Sequence, residues 1–175
     1  MTLANRLTIL RILMTPVITV LLLYKQMGAA LALFVLAGIT DGLDGFVARS
    51  RGQRTDLGMV LDPVADKLLL MSAVIVLSVL NELPWWFAII VVSRDVILIG
   101  GAFILYMFLG RMSLPPSWLG KLTTGFQILT VLLAMLDNFM PFLSCTILPV
   151  AVVALACTIG SGLHYVYRGS RLLSD

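Results

Sequence analysis

The chain has 175 residues, of which 60% are hydrophobic and only 12% charged, with a formal net charge of +3, and its mean hydropathy is +1.05. A soluble domain carries about 25% charged residues, so this composition excludes one and points to an integral membrane protein, all-α and built as a single bundle. The basic residues are not interleaved with aromatics in a patch; they read as a positive rim at a membrane surface, with no nucleic-acid partner.

Six hydrophobic segments are predicted as transmembrane helices, at about 6–24, 29–50, 58–80, 85–109, 118–137 and 142–166, each near the ~20 residues a helix needs to span. Together they make one domain, 1–175. Continuous apolar runs of this length fit helices rather than barrel strands. Arg6 and Arg11 ahead of the run Ile12 to Tyr24 look superficially like a signal peptide. No small-x-small cleavage site closes the run, so a retained helix is expected. Residues 1–11 are expected to start as a short surface helix with Arg6 and Arg11 toward anionic headgroups. Breakers punctuate the connections: Gly28, Pro84, Pro115-Pro116 and Pro141. Trp85 and Trp86 read as an aromatic belt, His164 as an interfacial residue, and Cys145 and Cys157 as packing residues without a disulfide.

Orientation follows from the cations. With an even helix number both termini share a side, and that side collects Arg6, Arg11, Arg49, Arg51, Arg54, Arg111, Lys121, Arg168 and Arg171, against Lys25 alone on the other. Both termini are therefore expected in the cytoplasm.

Within this oily chain Asp41, Asp44, Asp62 and Asp66 stand out. An acid at the centre of a membrane helix costs ~2.5–3.5 kcal/mol or more, so four of them need partners. Asp41 and Asp44 are spaced i, i+3 and Asp62 and Asp66 i, i+4, so each pair shares a helix face. The predicted topology puts both pairs at similar depth near the cytoplasmic side, on helices joined by one short loop. Clustered carboxylates suit hard divalent cations that carry phosphates, Mg²⁺ above all. Two ions would polarise a phosphoryl group, and one carboxylate left partly free would take a proton from an attacking hydroxyl. Arg49 and Arg54 would add contacts to a phosphate. Two other readings are an ion-pair network closed by Lys67, Arg49 and Arg94, and an ion or proton transporter. A transport path wants acids distributed across the membrane, whereas these share one depth.

The residues Asp41, Asp44, Gly45, Ala48, Arg49, Gly58, Asp62 and Asp66 form the pattern Asp-x2-Asp-Gly-x2-Ala-Arg-x8-Gly-x3-Asp-x3-Asp. At every fixed position the chain resembles the CDP-alcohol phosphotransferases, whose plan is also six membrane helices with cytoplasmic termini. The resemblance implies that Asp41, Asp44 and Asp62 are metal ligands for two Mg²⁺ or Mn²⁺ ions. Asp66 would reach the second ion and act as catalytic base. Asp41, Asp44, Gly45, Ala48, Arg49, Arg54 and Gly58 would make the CDP site, and the reaction would release CMP. It further implies a bacterial inner-membrane enzyme, commonly a homodimer.

The acceptor is read outside this pattern. Asn5-x-Leu7-Thr8-x-x-Arg11, the run Ser117-Trp118-Leu119-Gly120-Lys121 through Thr124 and Gln127, and Ser161-Gly162-x-x-Tyr165 resemble bacterial phosphatidylglycerophosphate synthases. Their donor is CDP-diacylglycerol and their acceptor glycerol 3-phosphate. Thr8, Arg94, Lys121 and Thr124 are then the acceptor-binding candidates. Arg94 is also readable as paired with a carboxylate of the third segment, and Lys121 equally as an interfacial lysine. Two departures matter: Arg94-Asp95 replaces Arg-Glu, and Thr123 replaces a second lysine. Ser93-Arg94-Asp95-Val96 resembles the cardiolipin synthases of the same superfamily, whose acceptor, phosphatidylglycerol, carries a single charge and needs fewer cations.

Overall fold

The protein is described from a computed structural model, which covers the backbone of residues 3–51, 56–109 and 118–174 and the side chains of 8–40, 64–101, 118 and 120–163. The described residues form six α-helices, α1 Leu3–Leu23, α2 Met27–Arg51, α3 Asp56–Val79, α4 Trp85–Leu109, α5 Trp118–Asp137 and α6 Ser144–Ser174, with a single 3-10 turn at Pro141–Leu143 before α6. No strand occurs among them.

Two boundaries differ from expectation for one reason. Hydropathy marks the stretch that suits a bilayer, whereas a helix ends only where backbone geometry changes. So α1 begins at Leu3 and runs unbroken through the segment expected to lie on the surface, and α6 continues to Ser174 rather than ending at 166. Pro16 lies inside α1 and Pro149 inside α6. Around Pro16 the Thr15 hydroxyl donates to the Arg11 carbonyl at 3.0 Å and Thr19 to the Thr15 carbonyl at 2.8 Å. Such side-chain bonds are common in helices that tolerate proline in lipid.

The chain divides into two compact units, Met1–Glu82 and Leu83–Asp175. In the first, α1 packs against both α2 and α3. Thr8, Arg11, Ile18 and Leu22 form its buried face, with Ala30, Phe34 and Ala37 buried on α2. Buried α3 residues follow the row Ala65, Leu69, Ala73, Leu77, in which small and large side chains alternate. In the second unit α6 packs against α5 and α4. There Ala151, Ala154, Thr158 and Ser161 make a buried stripe of small residues, the kind of surface that lets helices approach closely in lipid.

Outward faces are apolar: Leu13, Val17, Val20 and Leu23 on α1 and Leu148, Val152, Ile159 and Leu163 on α6 are all exposed. By length and composition Pro141–Leu163 can cross a membrane, with hydropathy 2.4, and Thr8–Leu23 and Met27–Thr40 are shorter apolar stretches. Cys145 and Cys157 are free thiols, as expected. Trp85 and Trp86 are exposed, and Trp86 meets Phe87 edge-on. His164 lies outside the described side chains.

Candidate functional site

The eight-position pattern spans two helices. Asp41, Asp44, Gly45, Ala48 and Arg49 lie toward the end of α2, and Gly58, Asp62 and Asp66 in the first half of α3. Helical backbone over both stretches keeps the i, i+3 and i, i+4 pairs on single faces. The side chains of these residues other than Asp66 lie outside the described set, as does Arg54 altogether. Among the described residues no group of three metal-ligating side chains gathers.

Asp66 has a defined setting. Leu70 and Val74, one and two turns along α3, are buried, whereas the Asp66 side chain is 45% exposed. It therefore stands where a packed helix face opens. The Arg11 guanidinium of α1 donates to Asp66 Oδ1. Arg11 itself is only 2% exposed, and Thr8, three residues before it, is buried too. This corrects the expectation for Arg11: it belongs to the packed face of α1 with Ile18 and Leu22, not to a headgroup-facing surface. The spacing Arg11, Ile18, Leu22 already carried that signal, since positions seven and eleven residues apart share one helical stripe.

In the second unit, Arg94 and Asp95 of α4 are both buried, joined by a 2.7 Å contact from Nη1 to Oδ1. Arg94 Nη2 also donates to Ser161 Oγ of α6 at 3.0 Å. Its ion-pair partner is thus its own chain neighbour rather than a carboxylate of α3. The Arg94 stem runs over Gly162, where an added Cβ would sit 3.9 Å from Cγ. Deeper along α5 and α6, Gln127 Nε2 donates to Thr158 Oγ1 at 3.2 Å, and the Thr158 hydroxyl donates in turn to the Ala154 carbonyl at 2.6 Å. Arg94 Nε and Gln127 Oε1 are buried without a hydrogen-bond partner among the described residues.

The α5 candidates separate by face. Thr123 is fully buried and donates to the Cys157 carbonyl at 3.0 Å. Thr124 is half-buried, and its hydroxyl returns to the Gly120 carbonyl at 3.2 Å. Lys121 is exposed, its Nζ 5.5 Å from the centroid of the Trp118 ring. It borders a groove of about 330 Å³ with Trp118, Leu122, Gly125, Phe126 and Leu129. An amine stacked on an exposed indole above apolar side chains has the setting of an interfacial lysine.

Residues 1–160 match the family described as CDP-alcohol phosphatidyltransferase. Among curated proteins, the chain is 37% identical over 175 residues to a probable phosphatidylglycerophosphate synthase of Mycobacterium tuberculosis, covering 97% of this chain and 82% of that one. It is 33% identical over 141 residues to a putative cardiolipin synthase of the same organism, covering 78% and 67%. To the human cardiolipin synthase (CMP-forming) it is 34% identical over 146 residues, covering 74% of this chain and 48% of that one.

Proposed function

The chain belongs to the CDP-alcohol phosphatidyltransferase family, and on that premise we propose that it is a phospholipid-biosynthetic enzyme transferring the phosphatidyl group of CDP-diacylglycerol to glycerol 3-phosphate, with release of CMP. The observation that carries this reading is the 37% identity to a probable phosphatidylglycerophosphate synthase over 97% of the chain. The cardiolipin synthase matches cover 78% and 74% of it.

In this reading residues 1–175 form one membrane domain of six spanning helices in a bacterial cytoplasmic membrane, with both termini and the site facing the cytoplasm, and the enzyme works as a homodimer. The apolar outward faces support burial in lipid, since a monomer in water rarely exposes so much contiguous apolar surface.

Four carboxylates on two helices are a donor set suited to hard divalent cations, and the half-exposed Asp66 carboxylate is accessible to one. Asp41, Asp44, Asp62 and Asp66 would hold Mg²⁺ or Mn²⁺, which when bound would neutralise phosphate charge and polarise the phosphorus centre. Gly45, Ala48 and Gly58 present little side-chain bulk, so a nucleotide can approach the backbone, and Arg49 and Arg54 meet its phosphates. Asp66 takes the acceptor hydroxyl proton as the new oxygen–phosphorus bond forms and the bond to CMP breaks. Thr8, Arg94, Lys121 and Thr124 are the acceptor-binding candidates.

One observation favours a second acceptor. The Arg94 charge is matched by Asp95, Lys121 points outward, and the position where a second lysine is expected holds the buried Thr123. Among the described acceptor candidates this leaves little fixed positive charge for a dianionic phosphate, which suits phosphatidylglycerol, the acceptor of a cardiolipin synthase.

The test is CMP release from CDP-diacylglycerol by purified protein, with glycerol 3-phosphate, phosphatidylglycerol, serine and inositol phosphate offered in parallel. Release that depends on glycerol 3-phosphate is expected. Dependence on phosphatidylglycerol would transfer the assignment to the second reading. Release with no acceptor dependence would mean hydrolysis, with water in place of the alcohol, and no release with any acceptor would remove the transferase reading and favour the transporter. EDTA should stop turnover and Mg²⁺ or Mn²⁺ restore it.

A further inference from the structure

Arg11 and Asp66 form an asymmetric pair. The cation is 2% exposed and the anion 45%. Burying a charge is costly and apolar packing fastens helices as well or better, so fastening alone does not account for a buried guanidinium aimed at a half-open carboxylate. The same chain shows the closed alternative: Arg94 is 8% exposed and Asp95 not at all. In the open pair the buried side is held from α1, by the packed face that contains Thr8, Ile18 and Leu22. The exposed side looks out from the helix that also carries Asp62. A planar guanidinium on a packed helix fixes the direction of the carboxylate it meets, which a flexible ammonium does less well.

We propose that Arg11 is a positioning residue for Asp66: it aims that carboxylate from the buried side and adds one permanent positive charge beside it. The inference rests on the reading of Asp66 as metal ligand and base. It assigns α1 a part in the site, although α1 contributes none of the eight pattern residues. Its physical content has two parts. Orientation governs how well Asp66 serves turnover. Charge governs how tightly the proposed site holds a cation, because a guanidinium within a few ångströms of a cation site repels the ion.

These parts separate in the Arg11→Ala variant of the full chain. Loss of orientation should lower kcat about 10–100-fold, as removing the partner of a site ligand commonly does, with KM for CDP-diacylglycerol within about twofold by this reasoning. Loss of the positive charge should tighten Mn²⁺ binding, read by electron paramagnetic resonance titration without substrate, roughly five- to tenfold. Turnover and metal affinity thus move in opposite directions, which loosened helix packing cannot produce. Arg11→Lys keeps the charge and loses the fork, so Mn²⁺ affinity should stay within about twofold while kcat falls roughly three- to tenfold.

Weaker Mn²⁺ binding in Arg11→Ala, or wild-type kcat in either variant, overturns the proposal and leaves Arg11 as a packing residue. If Arg11→Ala does not fold, Arg11→Lys decides the question alone. Asp66→Asn keeps the two failures apart. Full turnover there removes the reading of Asp66 itself, whereas an inactive Asp66→Asn beside a fully active Arg11→Ala removes only the positioning role.

Discussion

Arg11 reaches across from α1 to an aspartate on α3 that is nearly half exposed, whereas Arg94 meets the aspartate next to it in sequence and both are buried. The chemistry is the same and the settings are opposite. In the first unit the pair ends a packed face and leaves an acid accessible. In the second it is closed off, with Ser161 taking a further guanidinium N–H. Burial decides what each pair can do: an accessible carboxylate can serve a ligand, while an enclosed pair chiefly keeps the cost of its own charges low.

The comparison predicts that isosteric neutralisation of the two aspartates produces unlike defects. Asp66→Asn should lower acceptor-dependent CMP release by on the order of 10²–10⁴-fold, the contribution expected of a general base. CDP-diacylglycerol binding should change little, and the stability lost with the Arg11 counter-charge should be smaller than in Asp95→Asn, because water reaches this pair at the half-exposed carboxylate. Asp95→Asn leaves a buried guanidinium without its counter-charge and should destabilise the protein by roughly 3–5 kcal/mol, visible as early unfolding in detergent. If Asp95→Asn were as stable as wild type but inactive, the second pair would belong to the chemistry, and the contrast would collapse.

A third, smaller effect concerns the hydrogen-bonded layer behind Arg94. Thr158→Val removes the acceptor for Gln127 Nε2, and Gln127 Oε1 already lacks a partner among the described residues. One more unsatisfied buried amide group should cost about 1–3 kcal/mol. Thermal unfolding measures it, and turnover per folded molecule should be unchanged. A loss of turnover without loss of stability would instead place Gln127 and Thr158 against a substrate.

How much of this could be read in advance varies with the kind of signal. The helical class and the four aspartates stand out in the sequence because long apolar runs and acids within them have few alternative explanations. The charge of Arg11 suggests a headgroup contact, although its spacing from Ile18 and Leu22 places it on a packed stripe. For Arg94 the reading anticipated a partner from another helix, and the neighbouring Asp95 supplied it. Ser161 and Gln127 stand in the sequence only as members of family-like runs, and Thr158 stands in none. Their mutual bonds depend on the register between α4, α5 and α6, which no local pattern encodes. Thr123 and Lys121 are two residues apart on one helix and so, at 100° per residue, point to different sides.

The smallest predicted effect probes the first unit at its far end. Both α1 and α3, the helices joined by Arg11 and Asp66, close with the same motif. Gln26 N–H bonds to the Leu21 carbonyl at 2.9 Å and Lys25 N–H to Leu22 at 2.8 Å; Glu82 bonds to Leu77 at 2.9 Å and Asn81 to Ser78 at 3.1 Å. This is the helix ending that usually recruits glycine, because one residue must turn left-handed. Here those residues are Lys25, with φ 57°, and Asn81, with φ 63°. A β-carbon costs roughly 1–2 kcal/mol in that conformation, and asparagine tolerates it better than lysine does. Lys25→Gly should therefore stabilise the protein by about 0.5–1 kcal/mol after the added freedom of the unfolded glycine is subtracted, and Asn81→Gly by about half that or less. Lys25 lies about 20 Å along α1 from Arg11 at 1.5 Å per residue. Relief of strain there should raise the unfolding temperature and leave kcat within about twofold, provided that activity in the first unit rests on the local Arg11–Asp66 pair rather than on the overall stability of the helices that carry it. A change of kcat in step with stability would show that the site is set by how firmly α1 and α3 are held along their whole length, and the contrast between an accessible pair and a closed one would then be a matter of helix rigidity rather than burial.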